Sequence, residues 1–256
     1  MNKIELKDIT KKFNNKLVLD NISISVKENK TIAILGPSGC GKTTLFNIIS
    51  GIEKPNSGQI FIDNIDVTNT TGLVSYMLQK DLLLPYKTIF ENVTLPLTLN
   101  KVNTPYSEKS ITELFDTFLI SETKNKFPHE LSGGMRQRAA FLRAYVQNKN
   151  ILLLDEPFSN LDNITKKALY SWYLEIIKRF KRTTLIITHD IDEAILLADT
   201  IYVMSQKNHK IINCINNSPK RNIDYLFSPE FILLKQAIES NFMLNSQFVF
   251  NKKRKT

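Results

Sequence analysis

The stretch "TIAILGPSGCGKTT" (31–44) limits the possible folds of this chain more than any other segment. A short apolar run closed by Gly36 reads as a buried strand. The residues that follow, Gly36-Pro37-Ser38-Gly39-Cys40-Gly41-Lys42-Thr43, fit the phosphate-binding pattern G-x-x-x-x-G-K-[ST] and run on into Thr44. Backbone N–H groups can close around an anion only in conformations that side chains hinder, so the loop needs its glycines. Lys42 brings charge to the β- and γ-phosphates, and Thr43 can ligate Mg²⁺. A helix from Gly41 to about Ser50 adds its dipole, with Leu45, Ile48 and Ile49 on its inner face. Cys40 reads as a small loop residue rather than a redox centre.

The remainder of the chain alternates strands with helices, which argues for an α/β fold with a mainly parallel sheet. "KIELKDIT" (3–10) and "LVLDNISISV" (17–26) flank an "NNK" turn as an N-terminal antiparallel β portion. "SGQIFIDN" (57–64) and "TGLVSYML" (71–78) read as further strands. From about 88 to 148 the pattern turns helical, and "SEKSITELFDTFL" (107–119) opens on a capping signature. This block is expected to be an inserted α-helical subdomain. "ILLLDE" (151–156) and "TTLIITHD" (183–190) are buried strands on either side of the amphipathic helix "NITKKALYSWYLEIIKRF" (163–180). The helix "DEAILLAD" (192–199) and the strand "TIYVMS" (200–205) follow. Residues 206–256 carry no sharp motif, although "SPEFILLKQAIES" (228–240) suits a terminal helix.

The end of "ILLLDE" is expected to expose its two acidic residues, Asp155 and Glu156, at the sheet edge where ligands bind in such folds. Asp155 suits holding Mg²⁺ from behind its direct ligands, as in other P-loop NTPases, and Glu156 suits polarising an attacking water. Either could be an ordinary strand-end acid; the phosphate loop is what gives the pair its meaning. His189 ends the strand "TLIITHD" at the same edge and is placed to touch a γ-phosphate. Gln79 lies just past "LVSYML"; alone it reads as a polar loop residue. A second glycine-rich helix start occurs at "LSGGMRQRAA" (131–140). Ser132 can cap that helix, while Gly133 and Gly134 leave bare amides for phosphate oxygens. Met135, Ala139, Leu142 and Val146 line one face, and Arg136, Arg138 and Arg143 leave other faces basic.

The order of phosphate loop, Gln79, "LSGGMRQR", "ILLLDEP", "SNLD" (159–162) and His189 resembles the ATP-binding subunit of ABC transporters, from residue 1 to about 205. "MLQKDLLLPYKTIFENV" (77–93), "SGGMRQRAAFLRA" (132–144) and "THDIDEAILLAD" (188–199) are most similar to importers of the nitrate/sulfonate/taurine type, which overlap with importers of pyrimidine precursors of thiamine. The resemblance implies a P-loop NTPase core, with an ATPase domain over 1–205 and a C-terminal extension over 206–256. It implies hydrolysis of ATP to ADP and phosphate with Mg²⁺ by a head-to-tail homodimer. There the Ser132-Gly133-Gly134 of one subunit closes on the γ-phosphate held by its partner. Phe13 would stack on adenine, Gln79 would sense the γ-phosphate and Mg²⁺, Asp162 would cross the dimer interface, and His189 would hold the γ-phosphate. Partners would be transmembrane permease subunits at the cytoplasmic face and, indirectly, an extracytoplasmic substrate-binding protein. The transported molecule would be a small polar or anionic nutrient. Phe13 stands where relatives often carry Tyr, Asn160 where Ala is common, and Tyr86 where close relatives often show Trp. Leu84 and Tyr86 belong to an apolar segment, "LLLPY" (82–86), that reads as a docking face for the permease.

Charge and composition are compatible with this reading without requiring it. The chain has 256 residues, net charge +9 and two cysteines, Cys40 and Cys214. Two cysteines make no disulfide framework. The N-terminus lacks a signal-like apolar core, and no apolar run is long enough to span a bilayer. The chain is therefore expected in the cytoplasm unless a partner carries it to a membrane. A basic surface permits nucleic acid or an anionic membrane, but specifies neither. A soluble ABC ATPase acting on nucleic acid is the alternative; such relatives usually carry two cassettes, coiled-coil inserts or zinc fingers. This chain shows none of these, and no nucleic-acid partner is expected.

Overall fold

A computed structural model of the protein describes residues 2–99, 106–159, 163–218 and 222–246. Strands β1 (Asn2–Phe13) and β2 (Lys16–Lys27) form an antiparallel hairpin. Its two-residue turn is Asn14-Asn15, and both residues have positive φ, at 45° and 65°. That is the type I′ signature, whose twist matches the strands it joins. β4 (Ser57–Ile62) and β5 (Ile65–Asp66) repeat the device through Asp63 and Asn64, with φ of 50° and 64°. The resulting antiparallel sheet has the order β2-β1-β4-β5.

A second, mainly parallel sheet has the order β10-β9-β3-β8-β7-β6. It comprises β3 (Thr31–Leu35), β6 (Ser75–Met77), β7 (Ile151–Asp155), β8 (Thr183–Thr188), β9 (Thr200–Met204) and β10 (Ile211–Asn216). Every residue of β3, β7 and β8 is buried, which is why these strands read as unbroken apolar runs. Helix α1 (Lys42–Ile49) fills the space between the sheets, where Leu45 and Phe46 join Ile9, Ile22 and Leu153.

Helices α2 (Ile89–Leu99), α3 (Glu108–Thr117) and α4 (Gly133–Tyr145) lie between β6 and β7 in the chain. Phe115, Phe118 and Phe141 share a core with Trp172 and Tyr173 of α5 (Asn163–Arg179). Helix α6 (Ile191–Leu197) and helix α7 (Pro229–Ser246) cover the opposite face of the parallel sheet, where Ala194, Ile195, Phe231 and Ile238 pack with Ala33 and Leu35 of β3. Among the described residues no helix is long and apolar enough to cross a membrane.

Several elements differ from the sequence expectation. The strand expected over 71–78 shortens to β6, because only Ser75–Met77 pair with β7. Met135 is half-buried, whereas Ala139, Leu142 and Val146 are fully buried as expected. β10 lies in the segment without motifs and pairs antiparallel with β9. Its residues are half-buried or exposed, so it has no continuous apolar signature.

Candidate functional site

Four adjacent parallel strands end on one edge of the sheet. Their register aligns Leu35 with Thr188, Asp155 with Ile187, and Met77 with Leu154. The loop from Gly36, the residues Asp155 and Glu156, His189 and Gln79 therefore emerge side by side.

The loop is shaped by backbone rather than by side chains. Gly41 has φ of +109°, and a Cβ there would stand 2.7 Å from the Val18 carbonyl oxygen. Only glycine meets both conditions. The buried ammonium of Lys42 donates to the carbonyl oxygens of Gly36 at 2.8 Å and Pro37 at 3.0 Å. Cys40 is buried, and burial pushes its thiol pKa up, although neighbouring Lys42 opposes the shift. Ser38, Gly39 and Gly41 to Thr44 line a cavity of about 260 Å³, closed by Gln79, Glu156 and Val18. Val18 is a contributor that sequence reasoning missed. It sits on an alternating strand, and nothing in that pattern announces that β2 folds back against the loop.

Asp155 corrects one expectation. The strand end was expected to expose it, yet it is 2% exposed, beneath Tyr76. The Tyr76 hydroxyl lies 3.4 Å from Asp155 Oδ2 and 3.3 Å from Asn47 Oδ1. Burial raises the Asp155 pKa, and the neighbouring Thr43 hydroxyl pulls it back. Its Oδ1 is buried without a hydrogen-bond partner. An orphaned carboxylate oxygen beside a threonine hydroxyl is an oxygen donor set that fits Mg²⁺, a hard cation that takes its other ligands from phosphate and water.

Glu156 is partly buried and has a φ of +46°, an uncommon conformation for a residue with a side chain. Its backbone is tied by Glu156 N–H to Ile187 O at 2.9 Å and by Ser159 N–H to Glu156 O at 3.1 Å. Gln79 Nε2 donates to Oε2 at 3.0 Å, and His189 Nδ1 lies 3.1 Å from Oε1.

Other expected site residues stand apart from this cavity. Phe13 is at the tip of the β1–β2 hairpin, 43% exposed, with the Lys11 ammonium 4.7 Å from its ring centre. Ser132 caps α4, its hydroxyl accepting from Met135 N–H at 3.4 Å, and with Gly133 and Gly134 it does not line the cavity of its own chain. Asn160 and Asp162 lie outside the described residues. In the segment 82–86, Leu82 and Tyr86 are exposed and Leu84 is half-buried. The loop's backbone is held from behind. Asn92 donates to Leu84 O, Lys87 O and Thr88 O, and Arg143 of α4 donates to Leu82 O and Asp81 O.

A glycine-built phosphate loop facing a strand-end Asp-Glu pair, a histidine and a glutamine defines an ATP-hydrolysing cassette. The family model for ABC transporters matches residues 19–159, and the chain belongs to that family. It is 43% identical over 190 residues to the formylaminopyrimidine import ATP-binding protein ThiZ of Halalkalibacterium halodurans, covering 74% of each chain. It is 42% identical over 187 residues to an uncharacterised ABC transporter ATP-binding protein, YtlC, of Bacillus subtilis, covering 73% of this chain and 72% of that one. Among solved structures it is similar to the bacterial ABC transporter cassette MJ0796 in its dimeric form, with 29% identity and a TM-score of 0.73, over 84% of this chain and 99% of that one. The same cassette has also been solved as a dimer after hydrolysis, with ADP and phosphate bound.

Proposed function

We propose that this chain is the ATPase subunit of an ABC importer for a small polar or anionic nutrient, working as a homodimer at the cytoplasmic face of a membrane permease. The observation that carries the hydrolytic reading is Glu156. Its carboxylate lines the same cavity as Lys42 and Thr43, bracketed by Gln79 and His189. Lys42 and the loop amides bind the β- and γ-phosphates. Glu156 accepts the proton of the attacking water, Gln79 orients that water, and His189 holds the γ-phosphate. Thr43, Asp155 and Gln79 would hold Mg²⁺, which supplies positive charge against the phosphates. Phe13 stacks on adenine from the hairpin tip. The Ser132-Gly133-Gly134 start of α4, with Ser132 exposed and both glycines half-buried, and Asp162 serve the partner subunit's nucleotide. We take residues 1–205 as the ATPase domain, 88–148 as its helical subdomain and 206–256 as an extension.

Similarity to a formylaminopyrimidine import protein favours transport over nucleic-acid work, and it makes a pyrimidine precursor of thiamine one substrate to test beside sulfonates. The deciding experiment isolates the membrane complex and identifies what its extracytoplasmic binding protein retains. Capture of a permease with ATP-dependent uptake of that molecule is expected. Salt-sensitive RNA or DNA binding without any membrane partner would overturn the reading.

A further inference from the structure

We propose that Glu193 is a positioning residue for His189, its buried carboxyl fixing the backbone on both sides of that histidine and tying it to helix α5. The inference rests on the reading above, in which His189 serves the γ-phosphate. Glu193 is 3% exposed. The Thr188 hydroxyl donates to Glu193 Oε2 at 2.6 Å and accepts from Asp190 N–H at 2.9 Å. The carboxyl thus holds the residue before the histidine, and through it the residue after. The Asp190 carboxylate caps α6 by accepting from the backbone N–H groups of Asp192 and Glu193. From α5, Tyr170 OH donates to Glu193 Oε1 at 3.0 Å. Lys166 Nζ stands 3.2 Å from Asp190 Oδ2 and 3.7 Å from Glu193 Oε1. On the far side, Gly36 N–H donates to Thr188 O at 3.3 Å, so the first residue of the phosphate loop leans on the same backbone.

A residue with this task should be buried, multiply bonded and close to the aimed group without touching substrate. Glu193 meets these conditions. An acid in an apolar site would normally be replaced by a hydrophobe, since burying it costs stability. Here burial pushes its pKa up to about 7. The Thr188 and Tyr170 hydroxyls and Lys166 oppose that rise, while Asp190 adds to it. The remaining charge nearby is Asp192, paired with Lys235 of α7 at 2.7 Å. The carboxyl therefore changes protonation near neutral pH, and with it the strength of the hold on Thr188.

The test uses the full-length protein and reads His189 directly. The chain has three histidines, His129, His189 and His209, so ring ¹⁵N signals can be assigned one by one. Glu193→Ala should move the His189 ring signals and leave those of His129 and His209 in place. It should lower kcat for ATP by about tenfold or more with KM within about twofold, because a misaimed group costs rate rather than binding. Glu193→Gln keeps the shape and an acceptor oxygen. It should recover most of that loss and flatten the pH profile of kcat between about pH 6 and 8. In a His189→Ala background, Glu193→Ala should cost less than about a further twofold, since coupled residues are non-additive. Thr188→Val breaks only the link between the carboxyl and the histidine backbone, and it carries the same expectations if Glu193→Ala does not fold. An unmoved His189 signal, or an equal loss with and without His189, overturns the proposal. A wild-type protein that hydrolyses no ATP would overturn the ATPase reading instead, and the histidine signals would still decide the placement.

Discussion

His189 Nδ1 stands 3.1 Å from Glu156 Oε1, so the side chains from two neighbouring strand ends meet at the cavity. Gln79 holds the other carboxylate oxygen at 3.0 Å. With Gln79 on one carboxylate oxygen and the His189 ring beside the other, Glu156 stands next to the phosphate loop, and an incoming γ-phosphate has three polar side chains to rearrange. Glu156→Gln preserves this shape but removes the base. Turnover should fall by at least about a hundredfold, while ATP affinity stays within about threefold. Dimers should accumulate with ATP and Mg²⁺, as sized by light scattering. A species that remains monomeric at saturating ATP contradicts the assignment.

Docking to the permease should run through Leu82 and Tyr86, which are 52% and 72% exposed. Large apolar groups on an exposed loop suit a partner surface, and the loop's backbone is already held by Asn92 and Arg143. Replacing Leu82 and Tyr86 with Ser should abolish transport by the assembled complex. Basal ATPase of the isolated subunit and its melting temperature should hardly change, as expected for exposed sites. A fall in melting temperature together with loss of ATPase would mean that the segment belongs to the core.

The buried Glu193 makes stability depend on pH in a direction fixed by its shift. Its folded-state pKa is raised from 4.5 to about 7, so the folded state holds the proton more tightly than the unfolded state. Stability contributed by this group is therefore present at low pH. It declines as pH rises through the window from 4.5 to about 7, and levels off above it. Glu193→Gln carries no ionisable proton and should lose that slope. Melting temperatures of both proteins between those limits test it; parallel curves would mean that Glu193 is not the responsible group.

What the sequence disclosed, and what it hid, follows from the range of the interactions. Gly36 to Thr44 were legible because a phosphate loop is specified by local backbone demands, and β3, β7 and β8 because strands buried on both faces are apolar throughout. β10 was hidden because an edge strand alternates burial weakly over six residues. Val18, the cover over Asp155 and the contact between Thr188 and Glu193 were hidden for another reason. Each depends on how separate elements meet in space, and no spacing within "THDIDEAILLAD" tells a buried glutamate from a solvated one. Ser132-Gly133-Gly134 reads from its sequence as a phosphate-binding helix start, and in the fold these residues do not line the phosphate-loop cavity of their own chain.

That separation permits a test of composite sites. Ser132 is exposed and Lys42 is buried in the loop, so each can be altered with limited effect on the other. Lys42→Ala removes the charge proposed to contact the phosphates, and Ser132→Arg places a long cation where a capping hydroxyl met bare amides. As homodimers both variants should be nearly inactive. In a mixed dimer, one composite site contains both lesions, and the other joins an intact loop to an intact Ser-Gly-Gly. If each chain built its own complete site, both sites of the mixed dimer would stay damaged. Mixing should therefore restore γ-phosphate release in a single-turnover assay, at up to about half the wild-type amplitude because one of two sites survives. Transport need not recover, since it can require both sites. No phosphate release from mixed dimers verified by two different tags would remove the proposed role of Ser132-Gly133-Gly134 in the partner's site.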